Sequence, residues 1–308
     1  MRLRFQPWLL VSLSALGCAL LILAVHFFWS PGGVLSPQEL VDCLPGANAT
    51  LVYIDVNAIR RAGILDKFAG PKAAEEIEYR QFVGETKFDY RQDLDAVAAA
   101  FKGGQVYLAL RGRFHWKNLS DYAARQGGSC HDNFCVLAAS QPNRRISFYP
   151  LGSNLLAMAI STDDFAAYLV KRQRSQMALP PPNQPLWVVV PAATLQNTDA
   201  LPADARPYLS ALQNAEQIVF SLGPDADHFE LALHVTCRDA AAASALLANF
   251  EGATSTLRKW IGRAHQPATP ADLAGLLVAG AFRRDERQVY GQWPIPKAFV
   301  DTIAGGSY

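Results

Sequence analysis

In GGSCHDNFCVL, Cys130 and Cys135 flank the four residues His131-Asp132-Asn133-Phe134. A hairpin turn through those residues sets the two thiols opposite each other, so the pairing expected here is a disulfide. Closing so short a loop contributes only about 2 kcal/mol in the chain-entropy picture. Metal chemistry fits less well. A c-type haem needs Cys-x-x-Cys-His, whereas Val136 follows Cys135, and zinc would need two more ligands at a matching spacing. Cys43 and Cys237 could form a second pair or remain buried thiols, and spacing does not choose between these.

Charge supplies a second candidate. In ALRGRFHWKN, Arg111, Arg113, His115 and Lys117 alternate with Gly112, Phe114 and Trp116. A strand continuing through this stretch would set the basic groups in one row and the aromatic rings on the other face. Such a row suits an acidic partner or an anionic head group, and equally a solvated edge that discourages further strand pairing. Asp55 ends the run LVYIDV and, with Asn57, is placed to cap a following helix. His234 lies inside LALHVTC, where a structural role is expected.

Enzymatic signatures are missing. There is no G-x-S-x-G elbow, no phosphate-binding glycine loop, and no H-E-x-x-H or H-x-x-x-H pair. No catalytic residue, cofactor or metal site is therefore expected. A net charge of +1 and the lack of zinc-finger or helix-turn-helix signatures argue against nucleic acid as a partner.

The elements that must position these residues occur twice. LPGANATLVYIDV from Leu44 and LPPPNQPLWVVVP from Leu179 both run Leu-Pro, five residues, Leu, and then an aromatic and β-branched stretch. After each come a helix, two strands joined by a turn, a longer helix, two more strands and a closing helix. Gly103-Gly104 reads as a tight turn, and Gly127 as the residue ending a helix from Trp116 to Gln126. A helix is expected in DDFAAYLV and another around residues 203–213. The long helix from about Arg238 to Ile261 carries Ala243, Leu246, Phe250, Ala253, Leu257 and Trp260 on one face.

Ahead of the repeat, residues 8–29 contain no Asp, Glu, Lys or Arg. At about 1.5 Å per residue that run reaches roughly 32 Å, the thickness of a bilayer core. Trp8, Phe28 and Trp29 stand where interfacial aromatics belong, and Arg2 and Arg4 precede the run, which implies a cytoplasmic N-terminus. The expected organisation is a cytoplasmic tip and transmembrane anchor at 1–30, a spacer and short helix at 31–43, and two modules at 44–178 and 179–308. The expected fold is α+β: an N-terminal transmembrane helix followed by two similar β-α-β-β-α-β-β-α modules with mainly antiparallel sheets. The expected location is the inner membrane, single-pass, with the second and larger part extracytoplasmic (periplasmic), where disulfides persist.

This order resembles exported, single-span bacterial proteins in which an LP-x5-LVY strand follows a membrane anchor; the resemblance implies no activity and no site residues. Two functions are expected. One is a membrane-anchored interaction or structural protein, such as an accessory subunit of a membrane complex, whose partners are the bilayer through residues 8–29 and a membrane protein. The other is a binding protein for an apolar or lipid-like ligand held in a cleft between the modules and lined by Tyr53, Trp187 or Trp293.

Overall fold

The computed structural model describes residues 36–65, 77–171, 182–195, 212, 214–225, 228–263 and 273–304. The strands are β1 (Thr50–Ile54), β2 (Leu94–Lys102), β3 (Gln105–Gly112), β4 (Ser129–His131), β5 (Phe134–Ala138), β6 (Arg145–Gly152), β7 (Leu155–Ser161), β8 (Leu186–Pro191), β9 (Ala215–Asp225), β10 (His228–Cys237), β11 (Ala281–Asp285) and β12 (Gln288–Ile295). All twelve form one sheet in the order β11-β12-β10-β9-β8-β1-β2-β3-β7-β6-β5-β4. Every neighbouring pair is antiparallel.

This corrects the expected pair of α+β modules. The first strands of the two copies pair with each other, so residues 44–178 and 179–308 contribute to one sheet and do not form separate ones. The physical reason lies in the edges: β1 and β8 would each leave a row of unpaired amides in a separate module, and pairing satisfies both. Outward from this junction the strand order repeats, β1-β2-β3-β7-β6 on one side and β8-β9-β10-β12-β11 on the other. The junction register is itself symmetric. Leu51 lies opposite Val189 and its equivalent Leu186 opposite Ile54, while Val52 pairs with Val188 and Tyr53 with Trp187. Exchanging the copies maps the pairing onto itself.

The expected membrane anchor is corrected as well. Among the described residues no helix is long and apolar enough to cross a membrane. The longest, at Ala240–Arg263, carries Glu251, Arg258, Lys259 and Arg263 and is amphipathic. The run at residues 8–29, with Arg2, Arg4, Trp8, Phe28 and Trp29, lies outside the described residues. A single-pass, inner-membrane placement therefore has no support in the fold.

Residues opposite one another share a face of the sheet. One face carries Leu51, Tyr53, Trp187 and Val189 together with Ala96, Ala98, Ala100, Ala109, Ala157 and Ala159. These alanines are all 5% exposed or less, because helix α1 (Pro37–Val41) lies over β1 to β3. A 3₁₀ turn at Ala166–Leu169 joins it, in place of the helix expected in DDFAAYLV. Side chains hold that turn: Ser147 Oγ accepts from Ala167 N at 3.1 Å and Asp163 from Phe165 N at 2.9 Å. Its exit is tied to α1 by Lys171 N donating to Cys43 O at 2.8 Å.

The other face carries the two main cores. Under α5 (Trp116–Arg125), Leu119 and Ala123 pack on Cys135, Phe148 and Leu156. Under the long helix, Ala243 and Leu246 pack on Ile218, Leu233, Val235 and Val289. Each fully buried aliphatic side chain contributes about 1.5–3 kcal/mol. The remaining helices are α2 (Val56–Arg61), α3 (Ile77–Thr86), α4 (Tyr90–Asp93), α6 (Ala192–Leu195), α7 (the Ala240–Arg263 helix), α8 (Leu273–Val278) and α9 (Lys297–Ala304). The helix expected near residues 203–213 lies almost wholly outside the described residues.

Candidate functional site

Where the two copies meet, the strand ends do not close on each other. Between them lies a cavity of about 800 Å³, within the range of roughly 300–1,000 Å³ usual for small-molecule sites. The first copy supplies Tyr53, Ile54 and Asp55 from the end of β1, with Ala58, Ile59 and Ala62 from and just after α2. The second supplies Asn183 to Leu186 leading into β8, Leu222 to Pro224 from β9, Phe229 from β10, Ile295 from β12, and Phe299 and Val300 from α9.

Register explains why this patch is apolar. Ile54 faces Leu186, Leu186 faces Leu222, and Phe229 faces both Pro224 and Ile295, all on the face that carries the helices. Strand alternation thus draws a hydrophobic stripe across five strands at one end of the sheet. Helix α9 borders it: Phe299 packs with Ile295 and Leu276 and against Leu222 and Phe229. The copies differ here, since the equivalent segment of the first copy is the 3₁₀ turn on the opposite face.

Asp55 is the one ionisable carboxylate among the described lining residues. Its backbone N–H donates to Pro185 O at 2.6 Å, a bond between the two copies. Its Oδ1 accepts from Ala58 N at 2.8 Å and so caps α2. Val190 stands at the equivalent position of the second copy, so the charge is not duplicated. At the rim, Gln184 lies across Gly223. A Cβ on Gly223 would come within 1.7 Å of Gln184 Oε1 and 2.9 Å of the Pro185 ring, so only glycine admits this closeness.

Tyr53 is 1% exposed and Trp187 fully buried, and their rings stack at 5.4 Å with 22° between planes. Neither Tyr53 Oη nor Trp187 Nε1 has a hydrogen-bond partner. Burial raises the Tyr53 pKa, with the Asp55 charge adding to the rise and the Arg111 guanidinium opposing it. The hydroxyl is therefore held un-ionised, beside Arg111 on the face opposite the Ile54, Leu186 and Leu222 stripe.

The sequence-predicted residues are placed differently. Cys130 and Cys135 form a disulfide, directly opposite in the β4–β5 hairpin, whose turn residues Asp132 and Asn133 both take positive φ. Cys43 and Cys237 are separate buried thiols. The Arg111 to Lys117 row is not formed, because β3 ends at Gly112. Arg111 is 8% exposed, Arg113 pairs with Asp93 at 2.8 Å, His115 precedes α5, and Lys117 pairs with Asp121 at 2.7 Å. Trp187 supports Tyr53 from behind, and Trp293 packs edge-on against Phe282 at 5.3 Å; neither lines the cavity among its described residues. Sequence reasoning missed Leu222, Phe229, Ile295 and Phe299, whose only signal is that each is an apolar residue at a strand end or in the helix just beyond. Among the described residues no cluster of three His, Cys, Asp or Glu side chains is placed to hold a metal ion.

No family model matches this chain, and no curated protein matches it. Among solved structures, crystal form I of TP0453 is similar at 10% identity and a TM-score of 0.48, covering 90% of this chain and 99% of that one. Crystal form III is similar at 9% identity and 0.47, covering 88% and 97%, and crystal form IV at 10% and 0.43, covering 89% and 97%.

Proposed function

We propose that this protein binds an apolar, lipid-like small molecule in the cavity between its two copies of the repeat. The observation that carries the reading is the cavity itself: about 800 Å³, floored by an aliphatic and aromatic stripe, with polar groups confined to a few points near the strand ends. That distribution is the one ligand sites use, apolar walls for affinity and sparse polar atoms for orientation. Each methylene buried there contributes about 0.8 kcal/mol, so a chain of about ten gains enough to outweigh the cost of immobilising it. The Cys130–Cys135 disulfide fits folding in an oxidising compartment.

The test is titration with an uncharged pyrene-labelled alkyl probe, followed by fluorescence, for the native protein and for Ala58→Trp and Ala62→Trp. Both alanines border the cavity, and neither is fully buried, so the larger ring fills space without displacing core. Saturable binding to the native protein, lost in both variants while their unfolding midpoints stay within a few degrees, supports the reading. Absence of saturable binding, or binding unchanged in both variants, removes it.

A further inference from the structure

The sheet has two end strands, β4 and β11. Half the backbone N–H and C=O groups of an end strand point away from the sheet and stay open to another strand. At one end β4 is three residues long and tied to β5 by the Cys130–Cys135 disulfide, so it offers little to pair with. At the other end the five residues of β11 run in unbroken register with β12.

Which groups of β11 point outward follows from the neighbouring ladder. Cys237 N donates to Arg287 O at 2.9 Å, so the Arg287 carbonyl is turned toward β10. Backbone direction alternates along a strand, so Gln288 is turned toward β11 and exchanges bonds with Asp285 across the two-residue turn. Counting back, Asp285, Arg283 and Ala281 bond inward to β12, while Arg284 and Phe282 turn their N–H and C=O outward. None of those four outward groups has a hydrogen-bond partner among the described residues.

Charged side chains commonly guard such an edge, and Arg283 and Arg284 stand where guards would. Both are folded back instead. The Arg283 guanidinium lies 3.9 Å above the Tyr290 ring on β12, and Arg284 Nη1 donates to Glu286 O at 2.9 Å. The two cations therefore flank an uncovered backbone, one on each face of the sheet. Phe282 shares the face of Arg284, and its ring stacks on Phe250 of α7 at 5.2 Å.

From this arrangement we infer that β11 is a docking edge for an extended, acidic peptide segment that adds antiparallel to the sheet. Its carboxylates lie opposite Arg284 and Arg283 and an apolar side chain lies opposite Phe282, so the segment reads acid, acid, apolar. Main-chain bonds to Phe282 and Arg284 supply affinity, and the paired charges supply selectivity. Antiparallel addition continues the pattern of the whole sheet and is the more stable pairing. A second copy of β11 suits the edge less well, since it brings the same cations, and five residues bury less than the about 1,200 Å² of a stable dimer. The edge stands apart from the cavity, none of whose described lining residues lies in β11.

The test is fluorescence anisotropy of the fluorescein-labelled peptides TTEEVTT and TTKKVTT on the native full chain, Arg284→Pro and Arg284→Ala, with amide hydrogen exchange followed in the native protein. Proline at this position removes only an outward N–H, which edge strands tolerate, so the β11–β12 ladder keeps its bonds. The native protein is expected to bind TTEEVTT saturably and TTKKVTT at least about tenfold more weakly. Binding of TTEEVTT is lost in Arg284→Pro and weakened severalfold in Arg284→Ala, with unfolding midpoints unchanged. In the native protein the bound peptide slows exchange at the Phe282 and Arg284 amides and leaves β4 unaltered. Equal affinity for the two peptides, or no saturable binding of TTEEVTT up to about 1 mM, overturns the inference. So does undiminished binding in Arg284→Pro, and so does unaltered exchange at Phe282 and Arg284, a result that does not depend on how the variants fold. A native protein that dimerises without peptide and is monomeric as Arg284→Pro assigns the edge to a second copy and also overturns it.

Discussion

Tyr53 and Trp187 face each other across the junction of the two copies, stacked at 5.4 Å, and neither of their polar atoms is hydrogen-bonded. An aromatic pair of this kind contributes about 0.5–1.5 kcal/mol beyond its buried area. Each buried, unpaired polar atom costs about 1–3 kcal/mol. The contact is therefore worth its apolar area and little else, and its two polar atoms are a net liability.

From this imbalance, removing the hydroxyl alone should not weaken the ligand-free protein. Tyr53→Phe is expected to leave stability unchanged or raise it by about 1 kcal/mol, whereas Trp187→Ala should lose about 3–5 kcal/mol through the cavity it opens. Urea unfolding of both variants checks the pair. A loss above about 1 kcal/mol for Tyr53→Phe would mean that the hydroxyl has a partner after all.

Asp55 serves α2 as an acceptor, so its replacements should separate by shape. Asp55→Asn is expected to change stability by a few tenths of a kcal/mol, and Asp55→Ala to cost about 1 kcal/mol. The same unfolding assay decides. Equal losses in the two variants would show that the negative charge, and not the cap geometry, supports the helix.

His234 stacks on Tyr290 at 4.6 Å and 11°, and its Nε2 is buried without a hydrogen-bond partner. Burial is the main cause that lowers its pKa; Gln288 opposes this, and the Arg283 cation adds to it. The folded-state value therefore lies below the ordinary 6.5, and the unfolded chain binds the extra proton first. The neutral ring's contribution is complete above that ordinary value and is lost progressively as pH falls from it through the folded value. Denaturation midpoints measured across this window should drop more steeply for the native protein than for His234→Phe, which keeps a ring beside Tyr290. Parallel slopes would contradict the assignment.

The β4–β5 hairpin should depend on its staple only locally. Cys130→Ser with Cys135→Ser is expected to cost about 2 kcal/mol in the chain-entropy picture. Amide exchange should accelerate in β4, the last strand of the sheet, and stay unchanged at the β1–β8 junction. Acceleration throughout the sheet would show that the hairpin supports the fold globally.

Local chemistry was legible in the sequence and long-range pairing was not. Cys130 and Cys135, the Gly103-Gly104 turn and Asp55 as a helix cap all depend on residues within a few positions of one another. The repeat at Leu44 and Leu179 was equally visible. Its meaning was not, because two copies can each close on themselves or join edges, and only the pairing of β1 with β8 distinguishes these. The Arg111 to Lys117 row failed for a similar reason. Alternation predicted a longer strand, but a Cβ at Gly112 would lie 2.4 Å from Asp93 O, and at that close approach β3 stops and the chain turns toward α5. The cavity walls gather residues from Ile54 to Val300, and no short motif encodes such a set.

The central claim is that the stripe running from Ile54 through Leu186 and Leu222 to Ile295 is a ligand surface. Methyl NMR of protein labelled at Ile, Leu and Val, titrated with a long-chain methyl ester, tests it most directly. The account predicts saturable shifts at those four residues and at Val300, with none at Val235 and Val289, which lie in the core under α7. Shifts spread evenly over both groups, or none at the stripe, would contradict it.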